Sequence, residues 1–239
     1  MKKPPLKTSK QLQTDFITLT SHQLRTPLSG MKWLLELLQK SDTGNLNRKQ
    51  KEFLEQIYNS NERMIALVND LLEISRLEAG ESQLYLQPTD LASVCRIIVK
   101  EKEKEVKRKH LQVTLTVEQE PFPLVRTEPI KIKQALGNII NNAVVFTPPH
   151  GKIDIILNVV DGKVQGEISD NGPGIPAGQQ DQVFKKFFRG SNVMSLETNG
   201  SGLGLYISKA FIEASGGTIR FRSKEGKGTT FLFTLPISH

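Results

Sequence analysis

Residues 152–175 read KIDIILNVVDGKVQGEISDNGPGI. Two apolar-alternating runs, Lys152–Val160 and Lys163–Asp170, flank Asp161-Gly162. An Asp-Gly pair between two such runs signals a β-hairpin, because both residues tolerate the positive φ of a type I′ turn. The second strand runs straight into Asp170-Asn-Gly-Pro-Gly-Ile175. Working outward, the pattern predicts a helix over 130–145 and another over about 202–214. A second hairpin, Thr218–Ser223 with Thr229–Leu235, turns at Glu225-Gly-Lys-Gly228. Leu111–Val117 alternates as a strand, and Pro88-Thr-Asp90 opens an amphipathic helix running to about Lys109. Elements mixed in this order predict an α+β sandwich, with helices on one face of a mixed sheet.

The chain changes character near Gly80. Before it, Ile17, Leu24, Leu28, Met31, Leu35 and Leu38 form one apolar stripe, and Phe53, Ile57, Met64, Leu67, Leu71, Ile74 and Leu77 form another. Both have helical period. Ser41–Asn45 supplies turn residues between them, and Gly80 ends the second helix. An isolated helical hairpin cannot bury two such stripes, whereas two hairpins can do so as a four-helix bundle. A homodimer through residues 10–80 is therefore expected. The domains are read as 1–80, the helical hairpin, and 81–239, the α+β unit.

Composition narrows the function classes. The 239 residues carry 32 Lys+Arg against 25 Asp+Glu, a formal charge of +7. The charge run Lys100–Lys109 interleaves Glu with Lys as a solvated helix face does, and aromatic residues are only 6%, so nucleic-acid binding is not expected. The longest apolar run, Met64–Val68, is far short of the roughly 20 residues of a membrane span. One cysteine, Cys95, excludes an internal disulfide and any multi-cysteine zinc site, which fits a reducing, cytoplasmic setting.

Chemistry concentrates in three places. Asp170–Ile175 follows a strand, and Gly200-Ser-Gly-Leu-Gly-Leu205 opens a helix. Such turns bring backbone N–H groups close to phosphates, and a helix N-terminus adds a favourable dipole. Neither turn is a Walker loop or a Rossmann fingerprint. The stretch between Asn171 and Gly200 has lid length. On the 130–145 helix, Asn138 and Asn142 stand at i and i+4, and an amide oxygen is a hard ligand of the kind Mg²⁺ takes. On the first helix, Ser21-His-Gln-Leu-Arg-Thr-Pro27 places His22 about 200° from core residue Leu24, toward solvent, with Thr26 on the same face. Pro27 removes a helix hydrogen bond and should bend the helix there.

Together these motifs resemble, in order and over about residues 10–236, the core of a sensor histidine kinase of a two-component system. Ser21–Pro27 resembles the phosphoacceptor box, Gly137-Asn-Ile-Ile-Asn-Asn-Ala143 the asparagine box, and Asp170–Ile175 and Gly200–Leu205 the two glycine boxes. Phe184-Lys-Lys-Phe-Phe-Arg189 resembles the phenylalanine box. The resemblance implies a Bergerat-type ATP-binding fold behind the hairpin, with ATP and Mg²⁺ as cofactors. It implies His22 as phosphoacceptor, Asp170 on the adenine amino group, Asn138 on Mg²⁺ with Asn142 beside it, and Arg189 on the γ-phosphate. Gly172 and Gly174 would line the first turn, and Gly200, Gly202, Leu203 and Gly204 the phosphate turn. Phe184, Phe187 and Phe188 would pack the lid. The phosphoryl group would pass to an aspartate on a response-regulator receiver domain. The chain is then read as a cytoplasmic fragment of a longer receptor.

Two positions depart from the family pattern. Gln23 follows His22 where Glu or Asp is usual, and Val145 stands where Lys is common, with Lys185 or Lys186 as candidate substitutes. Thr26 is retained, and in the family that threonine supports dephosphorylation of the partner. Two alternatives share the fold: a degenerate kinase acting mainly as phosphatase or scaffold, and an ATP-driven clamp, against which the His22 box argues. His110, His150 and His239 receive no role.

Overall fold

The computed structural model describes residues 9–40, 46–80, 84–193 and 200–238, with only the backbone at 9–19, His22 and Lys40. The turn expected at Ser41–Asn45 lies outside the described residues. Two compact units divide the chain, 1–83 and 84–239.

The first unit is a hairpin of α1 (Ser9–Lys40) and α2 (Arg48–Ala79). Helix α1 runs through Pro27 without interruption. Helix α2 starts with a capping box that the sequence reading missed. The Asn47 side chain accepts from Gln50 N–H, and the Gln50 side chain accepts from Asn47 N–H, both at 2.9 Å. Gly80 ends α2 at φ 72°, in the left-handed region. Leu28 and Leu35 on α1 and Val68, Leu72 and Ile74 on α2 are buried. On one side the seam is polar: Arg25 Nη2 donates to Asn69 at 2.6 Å, Lys32 pairs with Glu62 at 3.0 Å, and Asn61 Nδ2 donates to Leu28 O at 3.0 Å. Leu24, Met31, Leu38, Phe53, Ile57, Met64 and Leu67 remain exposed. Each predicted stripe thus splits: Leu28 and Leu35 of the first and Ile74 of the second are buried, Leu71 and Leu77 are half-buried, and the rest of the described stripe residues are turned out.

The second unit begins with β1 (Gln87–Thr89), α3 (Leu91–Glu101), α4 (Glu103–Arg108), β2 (Gln112–Val117), β3 (Val125–Thr127) and α5 (Pro129–Phe146). It continues with β4 (Lys152–Val160), β5 (Lys163–Asp170), a 3-10 turn (Ala177–Gln182), α6 (Gly204–Ala214), β6 (Thr218–Lys224) and β7 (Gly228–Pro236). Five strands form a sheet in the order β2-β4-β5-β7-β6, with β2–β4 parallel and the other pairs antiparallel. The first hairpin forms as expected, with Asp161 at φ 51° and Gly162 at φ 72°. Along β4, Ile153, Ile155 and Leu157 bury under the helices, while Asp154, Ile156 and Asn158 face the more open side. Helices α3, α5 and α6 cover the buried face, with Leu136, Ile139, Ile140, Ile207 and Phe211 at its centre.

Three expectations need correction. The single helix to Lys109 is two helices broken at Lys102, whose Nζ is tied to Asn141 Oδ1 on α5 at 2.7 Å. Pro88 and Thr89 belong to strand β1, paired with β3, and Asp90 caps α3 through Ser93 N–H at 3.1 Å. Helix α6 begins at Gly204 rather than Gly202, because Gly202 is left-handed at φ 70°.

Candidate functional site

Helix α5 links the two glycine-rich turns. At its middle, Asn138 Nδ2 donates to Gly204 O at 3.1 Å. A Cβ on Gly204 would come within 3.2 Å of Asn138 Cγ, so the helix start presses against the amide. Ser208, fully buried one turn further along α6, places its hydroxyl 2.9 Å from Ala135 O on α5 and 2.8 Å from Gly204 O. At the far end of α5, a Cβ on Gly172 would meet Phe146 O at 3.1 Å. Asn142 lies between, half-buried. Lys109 Nζ donates to Val144 O at 2.9 Å and Val145 O at 2.7 Å, so a cation sits at the negative end of α5. Burial lowers the pKa of this lysine below the usual range.

Asp170 ends β5 with its carboxylate turned back on the first turn. Gly172 N–H donates to Asp170 Oδ1 at 2.8 Å, and the Thr229 amide also stabilises the charged form. Burial nevertheless dominates and raises the Asp170 pKa. The first glycine turn lies directly on the β6–β7 hairpin. Gly226 N–H donates to Pro173 O at 2.7 Å and Ile175 N–H to Ser223 Oγ at 2.8 Å. Gly174, at φ 66°, has no room for a Cβ against Lys224 O. The second turn is equally tight: a Cβ on Gly202 would stand 2.6 Å from the carbonyl carbon of Phe187. Thus the segment carrying Phe187, Phe188 and half-buried Arg189 rests on the Gly202–Gly204 turn. Leu203 is fully buried beneath it, and Gly200 is exposed ahead of it.

The structure therefore gathers Asn138, Asn142, Asp170, Gly172, Gly174, Gly202, Leu203, Gly204 and Arg189 around α5 and its two turns. His22, Gln23 and Thr26 lie on α1, in the other unit; Gln23 and Thr26 are exposed. The outward aim expected of the His22 side chain lies outside the described residues. Lys185 pairs with Asp181 at 3.4 Å, and Lys186 lies 5.3 Å from the centroid of the Tyr206 ring.

The phenylalanines behave differently from expectation. Phe184 is half-buried and packs edge-on against Phe221 and Phe231, at centroid distances of 5.8 and 6.3 Å. Phe187 is 62% exposed on a left-handed backbone at φ 62°. A non-glycine residue held there marks local strain, with the close approach of Gly202 as its physical partner. Gln179, Gln180 and Asn192 were missed. Gln179 Nε2 donates to Ser191 Oγ at 2.6 Å, Gln180 Nε2 to Ile175 O at 3.0 Å, and Asn192 Nδ2 to Gly174 O at 3.0 Å. They fasten the segment between the glycine turns to the first of them. Thr229, whose amide supports Asp170, was also missed, although it directly follows the Glu225–Gly228 turn.

Residues 127–239 match the family described as "Histidine kinase-, DNA gyrase B-, and HSP90-like ATPase", and residues 12–80 match "His Kinase A (phospho-acceptor) domain". The chain is 34% identical over 228 residues to the sensor histidine kinase WalK of Bacillus subtilis, covering 95% of this chain and 37% of WalK. It is 30% identical over 223 residues to the circadian input-output histidine kinase CikA of Synechococcus elongatus, covering 93% of this chain and 30% of CikA. The chain thus spans about a third of the length of these relatives. Among solved structures, full-length ShkA in complex with AMPPNP aligns with a TM-score of 0.77 at 28% identity, over 94% of this chain and 46% of ShkA. The Acinetobacter baumannii histidine kinase AdeS aligns with a TM-score of 0.64 at 25% identity, over 91% of this chain and 98% of AdeS. With a phosphoacceptor hairpin and an ATPase unit matched in the same order, the chain belongs to the sensor histidine kinases of two-component systems.

Proposed function

We propose that this chain is a protein-histidine kinase core: residues 84–239 bind ATP with Mg²⁺, and His22 accepts the γ-phosphoryl group. The phosphoryl group then passes to an aspartate of a response-regulator receiver domain. The observation that carries the nucleotide half is the Asn138–Gly204 hydrogen bond. It spends the amide nitrogen inward and presents the carbonyl oxygen, a hard ligand that fits Mg²⁺. Bound there, Mg²⁺ supplies neutralisation of phosphate charge.

The chain's own residues do the rest. Asp170, held by the Gly172 and Thr229 amides, accepts from the adenine amino group. Gly172 and Gly174 let the first turn pack closely on α5 and on the β6–β7 hairpin, which fixes the backbone beside Asp170. Backbone groups from Gly200 to Gly204 receive phosphate oxygens at the start of α6. Arg189 reaches the γ-phosphate as a permanently charged donor, and Asn142 stands beside Asn138. One ring nitrogen of His22 attacks phosphorus while the other carries the proton, so catalysis is alignment plus charge stabilisation. Exposed Thr26, four residues on, suits positioning a water for dephosphorylation of the regulator.

The turned-out stripe halves support a homodimer. Leu24, Met31 and Leu38 on α1, with Phe53, Ile57, Met64 and Leu67 on α2, are apolar residues that a second hairpin would cover in a four-helix bundle. Among the described residues no helix is long and apolar enough to cross a membrane.

Incubation with γ-labelled ATP and Mg²⁺ tests the reading. Label should appear on the chain, resist base, be lost in acid and be absent from His22→Ala. Label persisting in His22→Ala would remove His22 from its role. Unimpaired nucleotide binding in Asn138→Asp would remove the metal assignment.

A further inference from the structure

Away from the nucleotide pocket, two histidines that the kinase reading leaves idle meet on the surface. His110 follows α4, and His150 sits in the turn between α5 and β4. Their rings lie parallel within 4°, with centroids 5.1 Å apart. Both residues are left-handed, at φ 52° and 61°, and both are exposed. A left-handed residue other than glycine is uncommon, so two facing each other are a constructed feature of the turns. The turns are joined by backbone hydrogen bonds: His150 N–H to Lys109 O at 2.9 Å and Gln112 N–H to Gly151 O at 2.9 Å. The parallel β2–β4 pairing begins immediately beyond, at Gln112 with Lys152. The separation of the two backbones that carry the imidazoles is therefore set by the sheet.

We propose that His110 and His150 form a two-imidazole site for a first-row divalent ion of the Zn²⁺, Ni²⁺ or Cu²⁺ type, distinct from the Mg²⁺ that Asn138 would hold. A tetrahedral ion with Zn–N bonds of about 2.0–2.1 Å places two imidazole centroids about 5 Å apart. In the stacked arrangement the ring planes are parallel and share no ion position, but at 5.1 Å the two imidazoles are close enough to share one once they turn out of the stack. Rotation about each Cβ–Cγ bond, a broad and soft torsion, turns one nitrogen of each ring onto the ion. Neutral imidazole selects borderline-soft transition ions, whereas Mg²⁺ and Ca²⁺ require oxygen ligands. Among the described residues no group of three His, Cys, Asp or Glu side chains surrounds an ion. Water therefore completes the coordination, and the ion stays open to an added ligand.

The test is calorimetric titration of untagged, chelator-stripped chain with ZnCl₂, without nucleotide and with millimolar Mg²⁺ present. One ion per chain should bind at this site. His110→Asn and His150→Asn, which keep a residue that tolerates left-handed backbone, should each weaken it by roughly tenfold or more, the scale on which metal sites lose affinity. His22→Gln should leave it unchanged. Ring-proton NMR of the unaltered chain should show His110 and His150 moving together with added Zn²⁺. Undiminished binding in both Asn variants, loss in His22→Gln, displacement by Mg²⁺, or movement of only one ring would each overturn the proposal.

Discussion

Gly174→Ala is the sharpest structural test of the nucleotide floor. Gly174 is at φ 66°, and a Cβ there would overlap the carbonyl of Lys224. Left-handed backbone costs an L-residue about 1–2 kcal/mol. Relieving the overlap separates the first glycine turn from the β6–β7 hairpin. That strains the Gly226–Pro173 hydrogen bond of 2.7 Å and the Ile175–Ser223 bond of 2.8 Å. At about 1 kcal/mol each, the total loss is about 3–4 kcal/mol. This is a large share of the roughly 5–15 kcal/mol that stabilises a typical domain. With a urea slope of about 1–3 kcal/mol per molar, the midpoint of the second unit should fall by at least about 1 M. Gly178→Ala is the control, because a Cβ there meets nothing within 4 Å. The only tryptophan, Trp33, lies in the hairpin, so its fluorescence reports the first unit while hydrogen exchange follows residues 84–239. Gly174→Ala should shift the second readout and spare the first. Equal midpoints for Gly174→Ala and Gly178→Ala would refute the close-contact reasoning.

Three further outcomes follow from the same geometry. Asp170 has a native pKa raised by burial, so its ionised form costs stability above that pKa, and the cost disappears as pH falls through it and the carboxyl takes a proton. Asp170→Asn should therefore melt higher than the unaltered chain at pH 7, with the gap closing toward pH 4, while ATP binding is lost; a gap that widens on acidification would contradict the burial account. The Cys95 thiol, fully buried and pushed up to about 12, should resist thiol reagents in the native chain and react only on unfolding; rapid native labelling would mean α3 opens readily. Gln23 is exposed next to His22 and offers only an amide, so Gln23→Glu should speed autophosphorylation by roughly tenfold through assistance to the departing proton, with ATP affinity unchanged; an equal or slower rate would show that proton removal is not limiting.

What could be read from the sequence was chemistry imposed by local backbone. Asp161-Gly162 forms its turn because few other pairs accept φ of 51° and 72° in succession. The two glycine turns were legible because Gly174 and Gly202 sit where a Cβ would strike neighbouring backbone. Asn138 and Asn142 were legible because helical spacing alone puts them on one face. Apart from the Asn47–Gln50 capping box, a local signal that went unread, the main misses are features decided by partners distant in sequence. The break at Lys102 has no glycine or proline to announce it; it coincides with a hydrogen bond to Asn141, 39 residues away. Strand β1 is three residues long and exists through pairing with β3, so no period could form in it. Periodicity identified the stripes of α1 and α2 but could not divide them, since Leu28 and Met31 differ little in kind and only packing buries one and exposes the other.

Phe187 carries this one step further. Its aromatic character pointed to packing, yet it is exposed on a strained backbone, while Phe184 three residues earlier is half-buried against Phe221 and Phe231. The conflict between residue type and environment arises where the segment bearing Arg189 meets Gly202. Natural sequences keep local preference and tertiary structure in agreement except where function requires otherwise. A large apolar side chain is held outward at that junction because the backbone there is fixed by its contact with the Gly202 turn rather than by burial of the ring. The same physics explains why Gln179, Gln180 and Asn192 are amides: each bridges backbone or hydroxyl groups across the segment with neutral hydrogen bonds.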